Sequence, residues 1–214
     1  AVPAFVIIKD RTSGQSYPQW TIKHKDLTTN KNILFTSAAE ITAIGGGGWY
    51  EGGIRDFSSS TTFGLGNGAN SVNTNVNYSG TDYIAYCFAP VEGYSAFGSY
   101  TANANSDGPF VYTGFRPRWI IVKASSSAGD MSYAGWLIID TERDSYNVAD
   151  ASLLANSSAV EGTRGDGSGT AGSWMDILSN GFKIRYSGTD VNGTSGQTYI
   201  YAAFGDPFKT ARAR

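Results

Sequence analysis

Aromatic side chains in polar loops are the residues of this 214-residue chain whose chemistry points most clearly to a ligand. Tyrosine and tryptophan rings offer a large apolar face and lose little side-chain entropy on binding, so they stack well on sugar faces and anchor protein interfaces. The candidate ligand-binding residues are Trp49, Tyr50, Tyr94, Tyr100, Tyr133 and Tyr146. The alternative is that most of these rings belong to the core or to subunit contacts, and both interpretations stay open.

Catalytic chemistry has weaker support in the sequence. His24 is the only histidine, and it ends a predicted strand beside Lys23, Lys25 and Asp26, which predicts a solvated side chain and not a general base. Paired carboxylates for glycoside cleavage would have to come from Glu40, Glu51, Asp56, Glu92, Glu142 and Glu161. None of them lies in a recognisable acid/base setting. The sequence therefore predicts no catalytic residue and a protein that is not an enzyme.

The acidic run at residues 140–144 is the one segment with the alternating oxygen ligands of a calcium loop. Arg143 lies between its carboxylates, and the turn glycine and distal glutamate of such a loop are missing, which favours an ordinary charged turn. The single Cys87 lies within an alternating strand pattern, which predicts a small buried thiol. We therefore expect no metal site and no cofactor.

The elements that must position these residues are duplicated. The run PAFVIIK at residues 3–9 returns as PRWIIVK at 117–123, and TDYIAYCFA at 81–89 returns as QTYIYAAFG at 197–205. Trp20 and Trp136 begin a further matching pair of runs between these anchors. The repeated residues are apolar and aromatic strand formers, so the duplication concerns a scaffold and not a catalytic site.

Short β-rich runs separated by Gly, Ser and Asn turns predict an all-β protein. Its architecture is expected to be two tandem, internally repeated β-sandwich or jelly-roll-like modules that pack closely. The predicted first module covers residues 1–92, a structured aromatic connector covers 93–116, and the second module covers 117–214. The second copy has a lead-in before its first strand that the first copy lacks, so we expect the chain to begin inside a module.

Composition limits the partners. Charged residues make up 16% of the chain and its net charge is −2, while its basic residues cluster only at Lys209, Arg212 and Arg214. Phosphate binding needs clustered cations, so nucleic acid is not expected as a partner. No stretch approaches the roughly 20 apolar residues of a membrane span, so we expect no membrane insertion.

The residues as they stand also resemble a known family. The runs that carry the resemblance are residues 83–100, 107–117, 138–144, 178–183 and 203–209. They are similar to a tandem β module of tail-fibre and other virion structural proteins from tailed bacteriophages, especially marine and cyanobacterial ones. The resemblance covers nearly the whole chain, and the matching residues belong to the scaffold, so no binding site is carried over with them.

What the resemblance implies is a phage virion protein on the surface of the tail or capsid. The leading expectation is the C-terminal part of a tail fibre or receptor-binding protein, a homo-oligomer (a trimer if it is a fibre) that attaches to host cell-surface polysaccharide beside other virion proteins. Two alternatives stay open: a capsid decoration or tail-assembly protein, and a polysaccharide depolymerase. Exposed aromatics favour the first function, aromatics buried between subunits the second, and a cleft with two close carboxylates the third.

Overall fold

The strands of this chain form where β-branched and aromatic residues alternate between turns. A computed structural model describes residues 1–12, 20–29, 31–35, 41–42, 53–55, 57, 59–66, 76–77, 79–126, 135–162 and 173–206. The strands in these ranges are β1 (Phe5–Asp10), β2 (Trp20–His24), β3 (Lys31–Leu34), β4 (Ile41–Thr42), β5 (Tyr83–Phe88), β6 (Ser95–Thr101), β7 (Phe110–Tyr112), β8 (Trp119–Ala124), β9 (Leu137–Asp140), β10 (Ser152–Leu154), β11 (Met175–Leu178), β12 (Gly181–Ile184) and β13 (Thr198–Phe204). The described residues contain no helix, and the predicted all-β class is confirmed.

The chain divides after Ala89 into two compact units, unit 1 (Ala1–Ala89) and unit 2 (Pro90–Arg214). Unit 1 contains a five-stranded antiparallel sheet in the order β4-β3-β2-β1-β5. Unit 2 contains a five-stranded sheet in the order β10-β9-β8-β13-β6 and a three-stranded sheet in the order β11-β12-β7. Residues 93–116 thus supply two strands, β6 and β7, to unit 2.

The internal repeat is present at the level of single hydrogen bonds. Lys25 N donates to Ala4 O at 2.8 Å in unit 1, and Thr141 N donates to Arg118 O at 2.9 Å in unit 2. On the other side of the same strand, Arg11 N donates to Asp82 O at 2.8 Å, and Ser125 N donates to Thr198 O at 2.9 Å. Strands β1, β2, β3 and β5 are therefore the counterparts of β8, β9, β10 and β13.

Each unit has its own core. In unit 2 the two sheets face each other, since Phe182 of the small sheet packs edge-on against Tyr100 at 6.3 Å and Tyr201 at 5.4 Å. In unit 1, Val6 and Ile8 of β1 form a buried cluster with Ile54 and Val76. This is the layered packing of a β-sandwich, in which alternate residues of a strand point into the core.

A buried asparagine ties the layers of unit 1 together. Asn32 on β3 accepts a hydrogen bond from Ile54 N and donates one to Ile54 O, both at 3.0 Å. Both residues are fully buried, so the amide side chain satisfies a backbone donor and acceptor that water cannot reach. Ile54 in turn forms an antiparallel bridge with Leu65, the counterpart of the pairing of Met175 with Ile184 in unit 2.

Candidate ligand-binding surface

The strongest candidate site is an exposed aromatic surface on one face of the unit 1 sheet. Its members are Trp20 on β2, Ile84 and Tyr86 on β5, and Lys9 on β1 between them. The strand register pairs Lys9 with both Trp20 and Ile84, which places these side chains on one face because opposed residues in antiparallel strands share a face. Trp20 is 38% exposed and Tyr86 is 43% exposed.

Ring contacts hold this surface in one arrangement. The Trp20 and Tyr86 rings stack with centroids 6.5 Å apart and planes 18° from parallel. Phe35 packs edge-on against the other side of Trp20 at 5.8 Å, which fixes the indole in place. Lys9 Nζ lies 5.9 Å from the Trp20 ring centroid, within the range of a cation–π contact. The surface therefore offers a preformed apolar platform with one positive charge beside it.

The equivalent positions of unit 2 do not form this surface, although unit 2 contains the same strands. The counterparts of Lys9, Trp20 and Ile84 are Lys123, Trp136 and Ile200, and all three are buried. The counterpart of Tyr86 is Ala202, which is also buried. At these four equivalent positions, the side chains that unit 2 buries are thus at least partly exposed in unit 1.

Burial changes the chemistry of the shared lysine. Burial lowers the pKa of Lys123 to about 8, and the nearby Asp190 carboxylate opposes part of that decrease. Lys9, at the equivalent position of unit 1, is only partly buried. The two copies therefore present different electrostatic environments at one position of the fold.

The six residues predicted to bind ligand fall in different surroundings. Trp49, Tyr50 and Tyr133 lie outside the described residues. Tyr100 is a buried core residue of unit 2, stacked on Tyr199 at 5.3 Å with its hydroxyl donating to Val191 O at 2.7 Å. Tyr94 is half-buried and packs edge-on against Phe204, whereas Tyr146 is 86% exposed. Among the described members of this set, only Tyr146 presents most of its surface to solvent.

Sequence reasoning treated Trp20 and Tyr86 as strand residues and missed the surface that they form. The signal that marks it lies in the repeat itself, where YIAYCF in β5 aligns with YIYAAF in residues 199–204. The second tyrosine of the pattern is Tyr201 in unit 2 and Tyr86 in unit 1. A shift of one residue moves a strand side chain to the opposite face of the sheet. Tyr201 therefore points into the core while Tyr86 faces out.

Three of the residues weighed for catalysis, His24, Glu142 and Glu161, contact other residues of the fold. His24 is fully buried, so the predicted solvated setting is wrong; its Nδ1 accepts a hydrogen bond from Asp26 N at 3.1 Å, and its ring packs against Phe5. Glu142 is paired with Arg118, and Glu161 lies 3.7 Å from Arg143 Nε. The other carboxylates considered, Glu40, Glu51 and Asp56, lie outside the described residues, and Glu92 is exposed.

The acidic run after β9 forms a turn closed by its own hydrogen bonds. Asp140 Oδ1 accepts from Glu142 N at 3.0 Å and Arg143 N at 2.9 Å, and Arg143 also pairs with Asp140 Oδ2. Asp144 Oδ2 accepts from Ala151 N at 2.8 Å, and burial raises the pKa of this carboxyl. In the described ranges, no three His, Cys, Asp or Glu side chains come together as metal ligands would.

Cys87 also differs from its prediction, because it is exposed on β5. Partial burial raises the pKa of its thiol, which keeps the thiolate scarce at neutral pH.

Across the described residues, the chain forms no helix with the length and apolarity that crossing a membrane requires.

The fold and this surface define a duplicated all-β protein in which one copy displays an exposed aromatic platform. The chain belongs to the family described as Domain of unknown function (DUF7483), which matches residues 1–207. No curated protein and no solved structure matches the chain.

Proposed function

We propose that this protein is a non-enzymatic component of a bacteriophage virion, a tail-fibre or receptor-binding protein that contacts host cell-surface glycan through the aromatic surface of unit 1. The observation that carries the proposal is the stacked, exposed pair of Trp20 and Tyr86 with Lys9 beside it. The resemblance of the sequence to virion proteins supplies the biological setting.

The chemistry of the surface suits a polysaccharide. A pyranose ring has an apolar face of C–H groups that can lie on an indole or phenol ring, and Ile84 extends the same apolar face. Lys9 adds a charge that favours acidic sugars over neutral ones. Each contact is weak, and the many copies of a protein on a virion multiply weak contacts into firm attachment through effective concentration.

A binding experiment tests this function directly. The intact chain is applied to immobilised lipopolysaccharides and capsular polysaccharides from marine cyanobacteria, and both retention and the release of reducing ends are measured. We expect retention without release. Tyr86→Ala should reduce retention at least tenfold, because it removes one ring of the stacked pair and leaves the alanine that unit 2 has at this position. Tyr112→Ala is the matched control, since Tyr112 is an exposed tyrosine on a strand of unit 2.

Three results would count against the proposal. Release of reducing ends would identify a depolymerase. Equal loss in Tyr86→Ala and Tyr112→Ala would show that the aromatic surface is not the binding site. Failure of the folded chain to bind any polysaccharide would favour an assembly role.

That second function, capsid decoration or tail assembly, has one observation in its favour. Among the described strands, β5 is the last of its sheet, and its side chains Ile84 and Tyr86 are exposed. Open sheet edges bind other polypeptide strands. Retention on purified virion proteins without retention on polysaccharide would distinguish this function from glycan binding.

A further inference from the structure

Strand β5 and its counterpart β13 have the same place in the repeat but different neighbours. In unit 2, β13 lies between β8 and β6, and five of its seven residues are buried. In unit 1, β5 pairs with β1 on one side and, within the described residues, no strand pairs with its other side. Four of its six residues are exposed. Among the described residues of unit 1, no strand therefore occupies the position that β6 fills in unit 2.

The backbone geometry shows which groups face the open side. Arg11 N donates to Asp82 O, so Asp82 and every second residue after it direct their backbone groups toward β1. Ala85 and Cys87 alternate with these residues and direct their backbone N–H and C=O groups away from β1. The equivalent outward groups in unit 2 are in use, since β6 pairs with β13 along its whole length.

The side chains of β5 do not protect this edge. Natural edge strands carry lysine, proline, bulges or inward-pointing charges that prevent pairing with another chain. None of the residues 83–88 is charged and none is proline. Both faces of the strand present apolar groups, with Ile84 and Tyr86 on one face and Cys87 on the other. This edge therefore resembles a pairing surface and not a protected one.

We propose that β5 pairs with β5 of a second copy of this chain, in antiparallel orientation around a two-fold axis at Ala85. The partner strand must be neutral, because a charged strand would bury its charges against an apolar edge, and β5 itself meets this requirement. A second copy also offers the same outward backbone groups in the reverse order, as an isologous interface requires.

The register follows from two conditions. Residues that oppose each other in an antiparallel pair must have their side chains on the same face of the sheet. In addition, the residues whose backbone N–H and C=O groups point away from β1 must oppose one another. A two-fold axis at Ala85 meets both conditions and opposes all three residues of β5 whose backbone groups face away from β1, Tyr83, Ala85 and Cys87, whereas an axis at Tyr86 would oppose only Ala85 and Cys87. The axis at Ala85 places Cys87 opposite Tyr83 and Tyr86 opposite Ile84 of the second copy. Pairs of an aromatic with a β-branched residue are among the stabilising cross-strand pairs of β-sheets.

This pairing has a consequence for ligand binding. The unit 1 sheets of the two copies become one continuous sheet. A two-fold axis perpendicular to that sheet keeps the aromatic surfaces of both copies on the same face. The two Trp20–Tyr86 pairs then lie side by side and can bind one polysaccharide chain at two points. The pairing itself does not depend on the glycan-binding function, and each can fail without the other.

Association is measured by sedimentation of the full chain over a concentration series from about 5 to about 500 µM, which spans weak to moderate affinities. We expect a reversible monomer–dimer equilibrium. Ala85→Pro removes an outward N–H that β1 does not use, and Cys87→Lys adds a charge to the edge; both should weaken dimerisation at least tenfold. Val160→Lys, which adds the same charge at an exposed apolar residue of unit 2, should leave it unchanged. Circular dichroism confirms that each variant is folded.

A cysteine variant tests the register. In Cys87→Ala/Ala85→Cys, the two introduced thiols lie across the axis, where opposed Cα atoms are about 5.5 Å apart and within disulfide range. Oxidation with copper phenanthroline should crosslink this variant. The native chain should not crosslink, because the two Cys87 residues are four positions apart along the strands, or about 13 Å. Cys87→Ala/Tyr146→Cys controls for random collision.

Several outcomes would overturn the proposal. A chain that stays monomeric at the highest concentration of the series has no such interface. A stable trimer, or a dimer unaffected by both β5 variants, associates through another surface. Faster crosslinking of the native chain, through Cys87, than of the Cys87→Ala/Ala85→Cys variant would contradict the register.

Discussion

The Trp20 indole and the Tyr86 ring stack across strand β1, which separates the two strands that carry them, with centroids 6.5 Å apart. Two aromatic side chains held this way support each other's position although both remain partly exposed to solvent. A ligand that stacks on the pair meets a surface that needs little reordering, which lowers the entropic cost of binding.

The stacked pair should show energetic coupling. We expect the double-mutant cycle of Trp20→Ala and Tyr86→Ala to give about 0.5–1.5 kcal/mol of interaction in the free energy of unfolding, the usual range for aromatic pairs. Urea unfolding followed by circular dichroism measures it. The same cycle between Trp20→Ala and Tyr112→Ala is the control, since Tyr112 lies in the other unit, and additivity there within about 0.5 kcal/mol is expected. Additivity in the first cycle would contradict the coupling.

Asn32 should be a principal determinant of the stability of unit 1. Asn32→Ala leaves Ile54 N–H and C=O buried without their partner, which costs about 2–6 kcal/mol at roughly 1–3 kcal/mol for each unsatisfied group. The measurement is the shift of the urea midpoint at unchanged slope. Asn105→Ala is the control, because Asn105 is exposed and water can replace its bond to Asp107 N. If both variants lost the same unfolding free energy, burial would not make the hydrogen bonds of Asn32 more stabilising than the exposed one of Asn105.

Tyr199 should stabilise the fold through its hydroxyl as well as its ring. The hydroxyl lies 2.7 Å from Thr189 O and 2.9 Å from Gln197 Oε1, and it accepts a hydrogen bond from Gly193 N at 3.1 Å. Tyr199→Phe keeps the ring and removes these contacts, so we expect a loss of about 1–3 kcal/mol in unfolding free energy. Tyr146→Phe, at an exposed tyrosine, should change stability by less than about 0.5 kcal/mol. If Tyr199→Phe left the unfolding free energy unchanged, water would be replacing the hydroxyl.

The repeat and the strand class were predictable from sequence because both depend on local pattern. PAFVIIK and PRWIIVK form β1 and β8 with matching hydrogen bonds, as their shared alternation indicates. Exposure was not predictable in the same way. Cys87 and Ala203 occupy equivalent positions in two apolar strands, yet one is exposed and the other is buried. Among the described strands, β6 pairs beside Ala203 and none pairs beside Cys87, and this difference in neighbours cannot be read from the residues of either strand.

The same reasoning explains why the aromatic surface was missed. An alternating strand that begins with tyrosine predicts a core strand whichever face its second tyrosine occupies. Tyr86 and Tyr201 differ by one position in the aligned repeat, and only the fold shows that Phe182 covers the Tyr201 face in unit 2. For His24, the neighbouring charged residues suggested solvent, but the ring packs against Phe5 and is fully buried.

Lys123 should make the stability of unit 2 depend on pH in the alkaline range. Burial lowers its pKa from 10.5 in the unfolded chain to about 8 in the folded one, so the unfolded state binds more protons between these values. Stability therefore rises as pH increases from about 8 to about 10.5, and below about pH 8 the folded chain carries the full cost of the buried charge. That cost is about 3 kcal/mol at roughly 1.36 kcal/mol per pH unit.

The comparison of Lys123→Met with the native chain isolates this effect, because other titrating groups such as the tyrosines contribute to both proteins. We expect the unfolding free energy of the native chain to rise by about 3 kcal/mol relative to Lys123→Met between about pH 7 and about pH 10.5. Lys9→Met, at the equivalent but only partly buried residue of unit 1, is the matched control for replacing a lysine by methionine. If the difference in unfolding free energy between the native chain and Lys123→Met stayed constant across this pH range, Lys123 would keep its ordinary pKa in the fold.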